Sequence, residues 1–218
     1  MNQAPTIPKP SLERLFLYYR ILEACREGRK EVISSEELGR RAGVDAAQVR
    51  KDLTYISQCG RPGIGYQVGE LLVALEAVLG LKRQTHAALV GVGRLGTAIH
   101  NYPGFTHFGL RITALFDIDP ARVGQRVGEH EIYHIDRLVE IVSASTIQLG
   151  IITVPAHAAQ AVANGLIAAG VRGLWNFAPV TLRVPPGVIV RNEDLAVGLA
   201  TLSWHLARSA KPLVSGGK

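Results

Sequence analysis

Along the first third of the chain, apolar residues recur at three- and four-residue steps. Leu12, Leu15, Phe16, Tyr19, Leu22 and Ala24 form one stripe between Ser11 and Glu27, which predicts an amphipathic helix capped by Ser11 and ended by Gly28. Ser35-Glu36-Glu37-Leu38 opens a second, short helix with Ser34 or Ser35 as its cap, and Gly43 closes it. A third, from about Asp45 to Ile56, turns Val49, Leu53 and Ile56 inward and leaves Gln48, Arg50, Lys51 and Thr54 among its polar positions. The tight turn at Gly43 gives this pair helix-turn-helix spacing. Cys59 to Tyr66 places glycines and Pro62 around Arg61, a composition suited to a β-turn or wing, and Val68 to Leu81 reads as a further apolar helix. These elements predict a winged-helix domain over residues 1–84, with its linker at Lys82 to Thr85.

From His86 the texture changes to short apolar runs alternating with helical segments. Ala87–Val90, Ile112–Phe116, Leu149–Val154 and Gly173–Phe177 are strand candidates and Ala158–Ala169 is helical, which predicts an α/β domain with a parallel sheet over residues 85–192. A strand-like Gly187–Val190 precedes a last amphipathic helix, Glu193 to Arg208. Its stripe of Leu195, Leu199, Leu202 and Leu206 needs a covering surface, so residues 193–218 form a separate helix and tail.

The 218 residues are 47% hydrophobic and 19% charged, enough to bury a core in two modest domains. The net charge of +6 divides evenly between residues 1–84 and 85–218, so bulk charge selects no partner. Local charge does. Gly39 to Arg61 carries Arg40, Arg41, Arg50, Lys51 and Arg61 against Asp45 and Asp52, within the helix-turn-helix. Arg reads guanine bidentately, Gln reads adenine, and an Arg in a narrow minor groove meets a negative potential. The plainer reading of Gln48, Arg50 and Lys51 is a solvated helix face, and Asp52 reads as an intradomain ion-pair partner. Cys25 and Cys59 support neither a disulfide framework nor a zinc site, so no metal is expected. Runs such as Ile151 to Ala159 are too short to cross a bilayer. The proline-containing first ten residues read as a disordered lead-in, not a secretory signal, which places the protein in the cytoplasm.

Gly91-Val92-Gly93-Arg94-Leu95-Gly96 follows the strand Ala87–Val90 and opens a helical stretch, as a dinucleotide fingerprint requires. Gly91 allows the sharp turn, Gly93 lets backbone approach a pyrophosphate, and Gly96 lets helix and strand pack closely. Asp117, 21 residues beyond Gly96 at the end of the next strand, is placed to accept from a ribose diol and to repel a 2′-phosphate. That favours NAD(H) over NADP(H). The bland alternative is a ligand-free glycine turn with Asp117 in a surface turn, and Arg94 is either a phosphate contact or a solvated helix-start residue. Tyr102 to Phe105 ends the first crossover helix, bordering the cofactor or simply turning the chain.

Gln48 to Tyr55, Gly63-Ile64-Gly65-Tyr66, Gly91 to Gly96, Asn101 to Phe105 and Asn176-Phe177-Ala178-Pro179 together resemble the Rex family of redox-sensing repressors over nearly the whole chain. The resemblance implies a homodimer whose winged-helix domains bind a palindromic operator and whose Rossmann domains bind NADH, with DNA released as NADH rises relative to NAD+. It implies that the C-terminal helix crosses to the partner subunit. Carried over by position, Gln48, Arg50 and Lys51 resemble recognition-helix contacts, and Arg61 with Gly63 resembles a wing entering the minor groove. Arg20, Tyr102 and Asp194 resemble switch residues; from the sequence alone they are a surface residue, a helix-end packer and a helix-start charge. The chain departs from the family pattern at Ser57, Cys59 and Leu195.

The competing reading is a small NAD-dependent oxidoreductase, since one fold serves both. Its seven histidines form no recognisable catalytic constellation, with His157 the best candidate, and the winged helix leaves no separate substrate domain. A non-enzymatic sensor is therefore expected, with an apolar pocket near Pro155, Phe177 and Pro179 that prefers the uncharged reduced ring.

Overall fold

The computed structural model describes residues 7–56, 60–61 and 63–209. The chain divides into two compact units, residues 1–83 and 84–218. In the first unit, α1 (Lys9–Glu27) begins before Ser11: Pro8 occupies the N-cap and Pro10 the first turn. Proline is tolerated there because its missing N–H would have had no intrahelical partner. Ser11 is therefore not the cap. It is buried, and its hydroxyl accepts from Arg14. The expected disordered lead-in is helical from Lys9, and residues 1–6 lie outside the described residues.

After β1 (Val32–Ile33), α2 (Ser35–Ala42) is capped by the Ser34 hydroxyl, which accepts from the Glu37 amide at 3.1 Å. Gly43 closes it in the left-handed conformation, at φ +73°. Asp45 caps α3 (Ala46–Leu53), which tightens into a 3-10 turn over Thr54–Ile56. Val49, Leu53 and Ile56 are buried as expected, together with Leu15, Tyr18 and Leu22 of α1. β2 (Tyr66–Gln67) pairs antiparallel with β1, and α4 (Val68–Leu79) ends at Gly80. A Cβ on Gly65, at φ +109°, would stand 2.5 Å from the Ile33 carbonyl oxygen, so only glycine lets the chain enter β2 beside β1.

Asp52 ties this unit together. Its fully buried carboxylate accepts from Arg14 Nε at 2.6 Å and Nη2 at 2.8 Å, from the Tyr18 hydroxyl at 2.9 Å and from Gln48 Nε2 at 2.9 Å. Burial opposes its ionisation, but the bonds from Arg14, Tyr18, Ser11 and Gln48 outweigh that and hold its carboxyl below the usual range. The ion-pair reading of Asp52 is what the structure shows.

In the second unit the strands are β3 (Thr85–Val90), β4 (Leu110–Asp117), β5 (Arg126–Val127), β6 (His130–His134), β7 (Ile147–Ile152), β8 (Gly173–Asn176) and β9 (Ile189–Asn192). The helices are α5 (Arg94–His100), α6 (Leu138–Ser143), α7 (Ala156–Ala168) and α8 (Leu195–Ser209). Among the described residues the strands form one sheet in the order β5-β6-β4-β3-β7-β8-β9, parallel except for β5 against β6. Without the short β5, the chain-order numbering reads 3-2-1-4-5-6 across the sheet, the doubly wound order, with its switch point between β3 and β7. Ala88, Val90, Phe116 and Ile152 pack under Val142, Ala163 and Leu166 on one face, and Ala87, Leu89, Leu115 and Ile151 pack with Ile99 on the other. Burial on both faces is why these strands read as unbroken apolar runs.

Several boundaries differ from expectation: β7 is Ile147–Ile152 and not Leu149–Val154, β4 starts at Leu110, α4 ends at Leu79 and α8 starts at Leu195. Thr85, assigned to the linker, is the first residue of β3, its amide bonded to the Gly109 carbonyl. The last strand begins at Ile189, because Gly187 at φ +89° lies in the turn that Val188 closes on the Pro185 carbonyl. Leu195, Leu199, Leu202, Trp204 and Leu206 of α8 are 55–68% exposed, and no described residue of the chain covers them. None of the described helices is long and apolar enough to cross a membrane.

Candidate nucleotide and nucleic-acid sites

At the switch point, β3 ends in a loop where each of three glycines answers a different constraint. Gly91 has φ +96°, and a Cβ there would meet the Thr153 carbonyl oxygen at 2.8 Å. A Cβ on Gly96 would stand 2.1 Å from the Gly91 carbonyl oxygen, so helix and strand approach here only without a side chain. Gly93 differs: its φ is ordinary, and the nearest atom to a Cβ would be Arg122 Nη1 at 3.6 Å. That open space, beside the start of α5, whose first-turn amides have no partner within the helix, has the form and polarity of a phosphate cradle. Arg94 and Leu95 are exposed on the first turn and Val92 is buried.

Asp117 lies at the end of β4, beside this loop, and is only 6% exposed. Its Oδ2 accepts from the Val92 amide at 2.7 Å and from Arg122 Nη1 at 3.2 Å; Oδ1 accepts from the Ile118 amide at 2.8 Å and the Asp119 amide at 3.0 Å. Burial pushes its carboxyl up, but the Asp119 and Val92 amides, Arg122 and the Ile118 amide outweigh it, and the group sits below the usual range. The expected open acceptor for a ribose is therefore first a brace that holds the glycine loop. Thr153 is a second brace, since its hydroxyl donates to the carbonyl oxygens of Gly91 at 2.7 Å and Val90 at 3.0 Å. Pro155 follows, exposed at the N-cap of α7.

Phe177 joins this edge because its amide bonds the Ile152 carbonyl at 2.9 Å and buried Asn176 organises the turn around it. The Asn176 side chain donates to the carbonyls of Ala178 and Val180 and to Asn192 Oδ1, and accepts from the Ala178 amide. From Phe177 a series of rings runs outward: Trp175 at 4.6 Å, then Phe105 at 5.7 Å from Trp175, then Tyr102 at 5.0 Å from Phe105. The structure thus brings Gly91, Val92, Gly93, Asp117, Pro155 and Phe177 to the carboxyl edge of the sheet and links Tyr102, 54% exposed, through aromatic contacts. Thr153, Arg122 and Trp175 escaped the sequence reading, because their roles come from the end of β7, from β8 and from the turn after β4, far apart in sequence, whereas Phe105 lies in the segment read as bordering the cofactor.

In the first unit, Arg50 and Lys51 are exposed on α3. Arg50 Nη1 donates to the Ser35 hydroxyl at 3.0 Å and lies 3.8 Å from Glu36 Oε1. Gln48 departs from the solvated-face expectation: it is half-buried, with its amide given to Asp52. Arg61 and Gly63 lie on an exposed turn, where the amides of Ile64 and Gly65 both return to the Arg61 carbonyl and Gly63 has φ +76°. Arg50, Thr54, Arg61, Gly63 and Ile64 border one groove between α3 and the turn that carries Arg61 and Gly63. Ser57, Cys59 and Pro62 lie outside the described residues. Cys25 is a buried free thiol against Arg41 Nη1 at 3.3 Å.

Residues 6–54 match the profile of a family described as a DNA-binding protein N-terminus, and residues 82–180 match the CoA binding domain profile. Over 202 residues the chain is 42% identical to the redox-sensing transcriptional repressor Rex of Syntrophobacter fumaroxidans, covering 92% of this chain and 96% of the relative. The Rex of Chloroflexus aurantiacus is 43% identical over 208 residues, 95% of this chain and 98% of the relative. The chain belongs to the Rex family of redox-sensing transcriptional repressors. A crystal structure of RSP with β-NAD+ and operator DNA aligns with a TM-score of 0.87 at 34% identity, over 93% of this chain and 94% of that one. RSP with β-NADH aligns with a TM-score of 0.82 over 93% and 95%. Rex proteins are repressors and not enzymes, which decides against the oxidoreductase reading.

Of the three residues that resemble switch positions, Arg20 is exposed on α1 in the first unit. Tyr102 and Asp194 belong to the second. Asp194 Oδ1 accepts from the Ala196 amide at 2.9 Å and the Val197 amide at 3.2 Å, so it caps α8. Among the described residues no group of three or more His, Cys, Asp or Glu side chains could hold a metal. His157 is exposed at the start of α7. His100 and His130 meet edge-on at 5.4 Å, and burial lowers the His100 pKa, with a smaller push from His130, against the raising effect of its bond to the Val127 carbonyl.

Proposed function

We infer that this chain represses transcription by binding operator DNA as a homodimer in the cytoplasm and lets go when NADH binds. The observation that carries this is the cradle at Gly93: Gly91 and Gly96 are filled to contact, while Gly93 faces space that only Arg122 Nη1 approaches, on a loop that Asp117 braces through the Val92 amide. Gly91 to Gly96 would hold the pyrophosphate, and Asp117 and Arg122 would meet the adenosine ribose. The shared adenosine and pyrophosphate chemistry also accounts for the match to a CoA binding profile.

Reduction of the nicotinamide ring removes its charge: the ring is positive when oxidised and neutral when reduced. Pro155, Phe177 and the rings beyond it form an apolar end that favours the neutral form. An effector shifts an equilibrium only by its differential affinity, so NADH must bind best to the conformation whose reading heads do not fit the operator. Arg50, Lys51, Arg61 and Gly63 are the DNA-facing residues of this reading, with Gln48 contributing by holding, one turn along α3, the Asp52 carboxylate that Arg14 and Tyr18 of α1 bind. Arg20, Tyr102 and Asp194 are its switch positions.

Titrating a DNA-bound complex separately with NADH and NAD+ tests the inference: release is expected at much lower NADH, and equal grip at every redox ratio refutes it. In the same assay Arg50→Ala should weaken operator binding about tenfold or more, the effect of one lost base or phosphate contact. NADH affinity measured on protein alone should not change. The exposed leucines of α8 are assigned to a second copy of the chain. Leu199→Asp combined with Leu202→Asp should sediment as a monomer, and a persistent dimer refutes that assignment.

A further inference from the structure

Beside the Gly93 cradle stands Arg122, on the turn after Asp117. Its Nη1 lies 3.2 Å from Asp117 Oδ2 and its Nε 3.5 Å from Asp119 Oδ2. Of the four hydrogen bonds that occupy Asp117 among the described residues, three come from the backbone amides of Val92, Ile118 and Asp119. Those three are fixed by the fold. The fourth is Arg122, whose side chain is 42% exposed and able to swing. A carboxylate offers about four lone-pair sites, so Asp117 can serve a ribose hydroxyl only where Arg122 now sits. Its negative charge is also opposed by the guanidinium, so it cannot act as the unshielded repeller of a 2′-phosphate that the sequence alone implies.

We propose that Arg122 is the specificity-determining residue of the adenosine end: it yields Asp117 to the ribose and keeps its guanidinium beside the 2′ position. Discrimination between a 2′-hydroxyl and a 2′-phosphate is then set by the Asp117–Arg122 pair and not by Asp117 alone. An acidic residue at this place favours the diol and an arginine accommodates the phosphate, and a guanidinium matches phosphate oxygens bidentately. With Arg122 present, the penalty for a 2′-phosphate is partly cancelled; with Arg122 removed, the remaining carboxylate faces the phosphate unopposed. This proposal rests on the dinucleotide reading above and adds the source of its selectivity.

The test is the ratio of NADPH to NADH dissociation constants, read by nucleotide fluorescence on the full chain for wild type, Arg122→Ala, Arg122→Gln and Arg122→Lys. The ratio is expected to rise about tenfold in the Ala and Gln variants, with NADPH bearing most of the loss, and to rise less in the Lys variant, which keeps the charge and loses the bidentate fork. Competition by adenosine 2′,5′-bisphosphate against 5′-AMP should reproduce the ratio without nicotinamide. If NADH and NADPH bind all variants with an unchanged ratio, the assignment of Arg122 is overturned while the dinucleotide reading stands. If neither dinucleotide nor either fragment binds the folded wild type, both are overturned.

Discussion

Gly93→Leu is expected to abolish the response to NADH while leaving the fold and operator binding intact. The three glycines of the cradle are not equivalent as targets. Gly91 has φ +96° and its Cβ would strike the Thr153 carbonyl, and a Cβ on Gly96 would strike the Gly91 carbonyl at 2.1 Å. Substituting either would distort the turn itself, and any loss of function would be ambiguous. Gly93 has φ −76° and ψ −164°, a backbone any residue adopts, and only the mobile Arg122 end approaches. A leucine there fills space that the pyrophosphate needs and little else. A steric conflict of about 3 kcal/mol corresponds to a loss of NADH affinity of about a hundredfold or more. The measurement is a pair of titrations, NADH against protein and NADH against the operator complex, with thermal melting as the control for folding. Loss of DNA binding by a normally melting Gly93→Leu dimer would break the proposed separation of sensing from reading.

The second large effect belongs to the first unit. Asp52→Ala should destabilise it by about 3 kcal/mol, the usual scale for removing one partner of a buried ion pair. The Arg14 guanidinium, at 23% exposure, would lose its paired acceptor, and the Tyr18 hydroxyl and Gln48 amide would lose theirs. For a domain of this size such a loss lowers the melting temperature by roughly 10–20 °C. Because Asp52 lies on α3 and its partners Arg14 and Tyr18 on α1, the variant should also lose operator affinity near its lowered transition. The pH dependence has a definite sign. The Asp52 carboxyl titrates lower folded than unfolded, so its contribution is complete above the unfolded value near 4 and fades as pH falls through the folded value. The gap between wild type and Asp52→Ala should therefore be widest at neutral pH and close in acid. A gap that stayed constant down to pH 2 would show that the carboxylate's charge is not what stabilises the unit.

The parallel strands and the cradle were legible because each leaves a dense local signal. A strand buried on both faces is an unbroken apolar run, and a glycine loop between strand and helix has fixed spacing. The helix-turn-helix was legible through its capping residues Ser34 and Asp45 and its closing Gly43. The short pairs were not: β1 with β2, and β5, have two residues each, too few to show alternation. The start of α1 was misplaced because proline reads as a breaker, whereas the first turn accepts it.

What the sequence determined by itself is what short-range physics controls: helix periodicity and caps, glycine turns, apolar runs, and the order of chemistry along the chain. Only the tertiary structure decided which partners those groups meet. It turned Asp117 from an open acceptor into a saturated brace, placed Arg122 across it, and set Thr153 against Gly91, 62 residues away. It also bound Gln48 to Asp52 and left the leucines of α8 bare. The reason is that a hydrogen-bonding group is satisfied by whatever acceptor the fold brings within about 3 Å. Residue type states what a side chain can accept or donate, and strand order and register state to whom.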